Sequence, residues 1–100
     1  MAHQTFIVDT NVLVRFFTGD PPEMAEKSRL LIERADHGKA TLVIFAVIVA
    51  EVFYTLESFY EMEHKLVAEK LLAFLQCRGI ENVEGDRMLD ALKRCRDRNA

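Results

Sequence analysis

Two acidic residues stand in sequence contexts that make them candidates for chemistry. Asp9 follows the apolar run Phe6-Ile7-Val8, and Glu51 interrupts an apolar and aromatic stretch that spans residues 42–54. Carboxylate oxygens are the hard ligands that Mg²⁺ and Mn²⁺ prefer, and such an ion stabilises charge on a phosphoryl oxygen and activates water. If the two side chains converge in space, they suggest metal-dependent hydrolysis of a phosphodiester.

Each acid also has an ordinary structural explanation, and the residues alone leave both explanations open. Glu51 can point to solvent from a helix whose other sides are buried, whereas a buried and unpaired carboxylate needs a compensating cation. Asp9-Thr10-Asn11 consists of residues that favour helix starts, so Asp9 can simply begin the next helix. The pair favours the metal site because acids that follow two parallel strands can meet in one crevice.

The segments that must position these acids alternate between predicted strands and helices. We predict strands at residues 6–8, 40–44 and 80–83, and helices at residues 11–17, about 21–37, 64–78 and 86–98. Asp20, followed by two prolines, is the predicted N-cap of the second helix. Between residues 45 and 60 a strand must pass into a helix, although no Gly or Pro marks the change. The alternation predicts an α/β domain with a parallel sheet.

Composition limits the class of protein without revealing its ligand. One hundred residues, half of them hydrophobic, suffice for one small domain. Residues 1–85 carry eight basic and thirteen acidic side chains, net −5, whereas residues 86–100 carry five and three, net +2, so charge neither predicts nor excludes RNA binding. Cys77 and Cys95 do not have the spacing of metal ligands or of a disulfide framework, so we expect free thiols in a reducing cytoplasm. The longest apolar run has nine residues, which is too short to span a bilayer.

Two segments resemble the acidic motifs of the PIN-domain family. Phe6-Ile7-Val8-Asp9-Thr10-Asn11-Val12-Leu13 resembles the opening strand motif, and Val47-Ile48-Val49-Ala50-Glu51-Val52-Phe53-Tyr54-Thr55-Leu56 resembles the second acidic motif on a helix. The similarity to VapC-type toxins extends loosely over the whole chain. It implies a three-layer α/β/α fold with a parallel central sheet. It also implies that Asp9 and Glu51 are catalytic acids that bind Mg²⁺ or Mn²⁺, with Thr10 and Asn11 supporting the pocket.

The resemblance further implies an activity and partners. The activity is that of an endoribonuclease toxin of a toxin–antitoxin system, which cleaves RNA phosphodiesters; the partners are a VapB-type antitoxin and a second copy of the chain. Arg87, Arg94 and Arg98 of the basic closing helix are candidate RNA contacts. A solvated helix face, interleaved with acidic residues, is the open alternative for these arginines.

One part of the family pattern has no match in this sequence. PIN domains continue past their third strand with a helix that bears a further catalytic Asp, commonly within a DFxDA-like motif, and then with more strands. We therefore expect residues 1–100 to form a single PIN-like domain that lacks the C-terminal strands. Asp90 superficially echoes the missing motif but, by its order in the chain, fits the preceding helix.

Two other functions are weighed against the nuclease. The first is a non-catalytic PIN-like binding module that engages an antitoxin or another subunit. The second is a receiver-like phosphoacceptor domain, which is ranked last because Thr10 and Asn11 occupy the place where its second acid should stand.

Overall fold

The computed structural model describes residues 3–97, which form a mixed α/β domain. In chain order the elements are β1 (Gln4–Ile7), α1 (Thr10–Thr18), α2 (Pro22–Asp36), β2 (Ala40–Ile44), α3 (Ala46–Ser58), α4 (His64–Leu75), β3 (Ile80–Asn82) and α5 (Gly85–Asp97). This order confirms the predicted alternation. The last turn of the predicted closing helix, from residue 98, lies outside the described residues.

The three strands form one parallel sheet in the order β1-β2-β3. Ile7 is the register partner of Val43, and Ile44 is the register partner of Asn82. Parallel neighbours end at the same edge of a sheet, so the segments that follow all three strands begin close together. This edge is where Asp9 and the start of α3 lie.

The core is built around the central strand. Ala40, Leu42 and Ile44 of β2 are completely buried, and they share one face of the strand because side chains alternate. The helices contribute further fully buried side chains: Leu13, Val52, Leu56, Val67 and Leu71. Burying one such aliphatic side chain contributes about 1.5–3 kcal/mol, so this cluster supplies the main stabilisation of the domain.

Strand β1 is much less covered than β2. In the part of the chain that the structure describes, β1 pairs with β2 alone and forms one margin of the sheet. Ile7 is 73% exposed, although Val8, the next residue, is buried. A short apolar strand in a parallel sheet is usually covered on both faces. The low burial of Ile7 therefore distinguishes β1 from the central strand.

Glycines set two of the element boundaries. Helix α1 ends at Gly19, whose left-handed backbone has φ 72° and whose N–H donates to the carbonyl of Arg15. Gly79 separates α4 from β3 with φ 82°, and a Cβ there would lie 2.4 Å from the carbonyl oxygen of Ala35. Only glycine allows α2 and the start of β3 to approach so closely.

The predicted start of the second helix was wrong by one position. Helix α2 begins at Pro22, and its N-cap is Pro21 rather than Asp20. A residue that precedes proline is driven toward extended backbone, and Pro21, itself followed by Pro22, is extended with ψ 152°. Asp20 instead accepts a hydrogen bond of 3.3 Å from the hydroxyl of Tyr60.

The change from strand to helix after β2 takes place at a single residue. Phe45 is extended and caps α3, which begins at Ala46. Because no Gly or Pro marks this point, the sequence placed it only within several residues.

None of the helices in residues 3–97 is long and apolar enough to cross a lipid bilayer.

Candidate functional site

Asp9 lies just beyond the carboxyl end of β1 and caps the first helix. Its backbone is extended, and its Oδ1 accepts a hydrogen bond of 3.1 Å from the N–H of Val12. This contact satisfies one of the free N–H groups at the helix start. Asp9 therefore has the helix-capping role that the sequence left open. The side chain is also exposed at the sheet edge, where its second oxygen can accept a ligand.

Glu51 lies in the second turn of α3, the helix that follows β2. The hydroxyl of Thr10 donates a long hydrogen bond of 3.3 Å to Oε1 of Glu51 across 41 positions of sequence. Thr10 is the residue next to Asp9, so this contact ties the second acid to the same helix start as the first. The structure thus brings Asp9, Thr10 and Glu51 into one neighbourhood at the carboxyl edge of the parallel sheet.

The structure also decides whether Glu51 is buried. Its side chain is exposed, which agrees with the alternative of a helix position that points outward. Val47 and Tyr54, on the same side of α3, are 63% and 71% exposed. The apolar run around Glu51 therefore does not mean that the helix is buried on all sides. No compensating cation is needed to explain this carboxylate.

A third acidic ligand does not join the pair within residues 3–97. The described residues contain no group of three or more His, Cys, Asp or Glu side chains placed to hold a metal ion. Asp90 is exposed on α5 and belongs to no such group. Asn11, the other predicted support of the pocket, is exposed in the first turn of α1. Of the two predicted pocket supports, Thr10 is the one that contacts an acid.

Asn82 is a polar residue at this edge that sequence reasoning missed. It ends β3 beside Ile44, and both polar atoms of its side chain are buried without a hydrogen-bond partner among the described residues. Leaving a buried amide unpaired costs free energy, so such a residue is unusual. The available signal was a polar amide at the end of a short strand, but its burial could not be read from the sequence.

The candidate RNA contacts lie on α5, the helix that follows β3. Arg87 and Arg94 are both exposed, and Arg94 lies about 10 Å further along the helix axis than Arg87, at 1.5 Å per residue. Arg98, the third candidate, lies outside the described residues. Helix α5 begins at the same sheet edge as the acids, so Arg87 is the closer of the two described arginines to that edge.

The family comparison identifies the class of protein to which this geometry belongs. The model of the PIN domain family matches residues 5–100, which is almost the whole chain. The chain belongs to the PIN domain family. PIN domains are generally nucleases that use divalent metal ions, which agrees with two carboxylates at the carboxyl edge of a parallel sheet. Searches of curated proteins and of solved structures gave no significant match.

Proposed function

We propose that this chain is a metal-dependent endoribonuclease of the VapC toxin type, which cleaves RNA phosphodiesters. The observation that carries the proposal is the hydrogen bond from Thr10 to Glu51, because it ties the second acid to the residue beside Asp9. Membership of the PIN domain family supports nuclease chemistry. The toxin role rests on the resemblance of the two acidic motifs to those of VapC-type proteins.

Asp9 and Glu51 would hold a Mg²⁺ or Mn²⁺ ion. Their carboxylates suit both ions, which tolerate few protein ligands because they retain several water molecules. When bound, such an ion supplies positive charge that stabilises a phosphoryl oxygen and favours ionisation of water. Thr10 holds the Glu51 carboxylate toward the start of α1, and the N–H of Val12 fixes one oxygen of Asp9. These contacts leave the other carboxylate oxygens available.

RNA and protein partners belong to the same proposal. Arg87 and Arg94, with Arg98 beyond them in sequence, offer cations for RNA phosphates, which attract Lys and Arg side chains regardless of base sequence. A VapB-type antitoxin is the proposed protein inhibitor. An apolar groove of about 380 Å³ between α1, α2 and α4, lined by Phe16, Phe17 and Phe74 among others, supports contact with apolar side chains of such a partner. A second copy of the chain is the proposed subunit partner.

The test is RNA cleavage by the whole chain with Mg²⁺ or Mn²⁺. Asp9→Asn and Glu51→Gln each remove one carboxylate charge at nearly constant shape. Loss of a direct ligand should reduce cleavage by more than the roughly 10- to 100-fold that outer-shell changes cause. The matched controls are Asp36→Asn and Glu69→Gln, which make the same changes at exposed helix positions elsewhere.

Direct metal binding provides a second readout that does not depend on the RNA chosen. Titration with Mn²⁺, followed by its electron paramagnetic resonance signal, should give weaker binding for Asp9→Asn and Glu51→Gln than for the two controls. Equal Mn²⁺ binding and equal cleavage by all the variants would contradict the assignment of both acids.

A non-catalytic PIN-like module that binds an antitoxin or another subunit is the second candidate function. The observation that favours it is the absence of a third acid beside Asp9 and Glu51 in residues 3–97. In that case partner binding should be unchanged by Glu51→Gln, and the parent chain should give no metal-dependent cleavage. The same set of variants therefore separates the two functions.

A further inference from the structure

A group of cations lies at the amino edge of the sheet, where the strands begin, at the opposite end from Asp9 and Glu51. Lys39 directly precedes β2, and Arg78 comes two residues before β3; both are exposed. Arg34, half-buried in the last turn of α2, lies beside Lys39, because the N–H of Lys39 donates to its backbone carbonyl at 2.9 Å. We call Arg34, Lys39 and Arg78 the amino-edge patch.

The loop between α2 and β2 brings the three cations together. The guanidinium of Arg78 lies across Gly38, and its Nη2 is 2.7 Å from the place where a Cβ of that residue would stand. Glycine leaves room for this approach and adopts the φ of 75° without strain. The guanidinium of Arg34 donates to the amide oxygen of Gln4 at 2.9 Å and lies 5.9 Å from the centre of the Phe6 ring. Specific contacts therefore position two of the three cations.

The charge of this patch is not cancelled by ion pairs within residues 3–97. The cations of those ion pairs are Arg29, His64 and Arg96, none of which belongs to the patch. In the last turn of α2, Glu33 pairs with Arg29, and Asp36 is the remaining acid. Three cations therefore face one unpaired acid. The patch is positive although residues 1–85 carry a net charge of −5.

The surroundings of the patch suit nucleic acid better than protein. None of the large exposed apolar side chains in residues 3–97 belongs to the turns at 37–39 and 76–79. The centres of protein–protein interfaces are depleted in charge and enriched in apolar and aromatic residues, whereas surfaces that bind nucleic acid are more polar and more positive. The patch therefore fits the phosphates of an RNA backbone.

Helix α5, which carries the other candidate RNA contacts, has a different charge pattern. Asp86, Asp90 and Asp97 are interleaved with its basic residues, so the opposite charges weaken the local positive potential. Only Asp36 has this effect at the amino edge among the acids of the last turn of α2. Phosphates should therefore be attracted more strongly to the amino-edge patch than to α5.

We propose that the amino-edge patch is a second RNA-binding site, which holds backbone phosphates of the substrate away from the acids. This inference rests on the proposed function, because it takes RNA as the substrate. A strand rises about 3.3 Å per residue, so Asp9 lies roughly 16 Å along the strand direction from Gln4 at the amino edge. A stacked strand advances about 3.4 Å per nucleotide, so the patch contacts phosphates at least about five nucleotides from the cleaved bond. Such contacts carry no base specificity.

The test is fluorescence anisotropy of a labelled single-stranded RNA of about 20 nucleotides, bound to the whole chain in EDTA so that no metal-dependent cleavage occurs. Lys39→Gln and Arg78→Gln each remove one positive charge and retain a polar side chain. The double variant should bind at least about tenfold more weakly, and its plot of log affinity against log salt should be shallower by about 0.7 for each cation removed. Arg34 stays unchanged, because its contacts with Gln4 and Phe6 also support the fold.

Matched controls are Lys27→Gln on α2 and Lys65→Gln on α4, which make the same change at exposed positions outside the patch. They should bind RNA like the parent, and Arg94→Gln on α5 should weaken binding less than either patch variant. Circular dichroism of every variant checks that the helices are intact. In cleavage assays the double variant should show a higher KM with an unchanged kcat for the long RNA. An RNA of about four nucleotides, too short to reach the patch, should show no difference.

Three results would overturn the proposal. They are a parent chain that does not bind RNA, a double variant that binds with the affinity and salt dependence of the parent, and a polyglutamate peptide that binds the patch more tightly than RNA of equal charge. The last result would assign the patch to an acidic protein partner. Binding is measured without metal, so patch-dependent binding with no cleavage would reject the nuclease and support this site. Cleavage together with binding that ignores the patch would do the reverse.

Discussion

Helix α3 presents two apolar sides that have different surroundings. Its inward side consists of Val49, Val52 and Leu56, which are buried in the hydrophobic core of the domain. Its outward side, where Val47 and Tyr54 flank Glu51, is exposed. Both sides contribute to the apolar and aromatic stretch of the sequence that Glu51 interrupts. The run therefore contains residues that the fold requires and residues that the fold of a single copy does not require.

The comparison explains why Glu51 was the informative residue. On the inward side an acid would have been buried with no cation nearby, which costs several kcal/mol. On the outward side it is solvated and within reach of Thr10. Val47 and Tyr54, which flank Glu51 on this side, do not contribute to the core and remain available to the proposed partners of the chain. This difference between the two sides leads to four predictions, given from the largest effect to the smallest.

The largest effect should follow from shortening a buried side chain on the inward side. Leu56→Ala should lower the free energy of unfolding by about 2–5 kcal/mol, because it removes buried methyl groups and leaves a cavity. Val47→Ala on the outward side should change it by less than about 0.5 kcal/mol. Urea denaturation at low protein concentration measures both. Equal losses for the two variants would mean that the outward side is covered even in a single copy.

Sequence reasoning predicted most of the fold because the strongest local signals agreed with the final packing. Ala40–Ile44 was predicted with its observed bounds, and Gly19 and Gly79 stand where helices α1 and α4 give way to the next segment. The bounds of the strand follow from its run of buried apolar residues, and the two helix ends follow from left-handed backbone, which glycine adopts easily. Both signals depend on local residue types. The N-cap of α2 was misplaced because two successive prolines altered the usual position of the cap.

The candidate site could be predicted only in part. The order of strands and helices indicated that Asp9 and Glu51 lie at one edge, because parallel strands end together. The exposure of Glu51 could not be deduced, since an apolar run on a helix looks the same whether a side faces the core or a partner. The buried amide of Asn82 was missed for a similar reason: its environment depends on packing between β3 and distant segments.

The next largest effect concerns the cap that Asp9 forms on α1. Asp9→Ala should cost about 0.5–2 kcal/mol of stability, because the N–H of Val12 loses its acceptor. Asp9→Asn should cost much less, since asparagine caps helices as well as aspartate does. Thermal denaturation without metal compares the two. A large loss for Asp9→Asn would show that charge matters to folding and would complicate its use as a probe of metal binding.

A smaller effect is expected from the contact between α1 and the outward side of α3. Thr10→Val should cost at most about 1 kcal/mol, because the hydrogen bond to Glu51 is long and exposed to water. A double-mutant cycle with Glu51→Ala, which removes the acceptor oxygens, isolates the coupling between the two side chains. Zero coupling would mean that the two residues do not interact in solution, and the outward side of α3 would then be independent of the start of α1.

The smallest effect on stability, and the sharpest test of the comparison, comes from Tyr54→Ser. Tyr54 is largely exposed, so its removal should change the free energy of unfolding of a dilute sample by less than about 0.5 kcal/mol. Under the proposal that a second copy of the chain covers this side of α3, the same variant should weaken self-association, because an exposed aromatic ring at an interface contributes far more to binding than to the fold of one copy. Phe53→Ser is the contrasting change, since Phe53 packs against the core and contacts the ring of His64. It should destabilise the single copy directly. If Tyr54→Ser instead lowers stability as much as Phe53→Ser, and does so at every protein concentration, the two sides of α3 do not differ in the way the structure indicates.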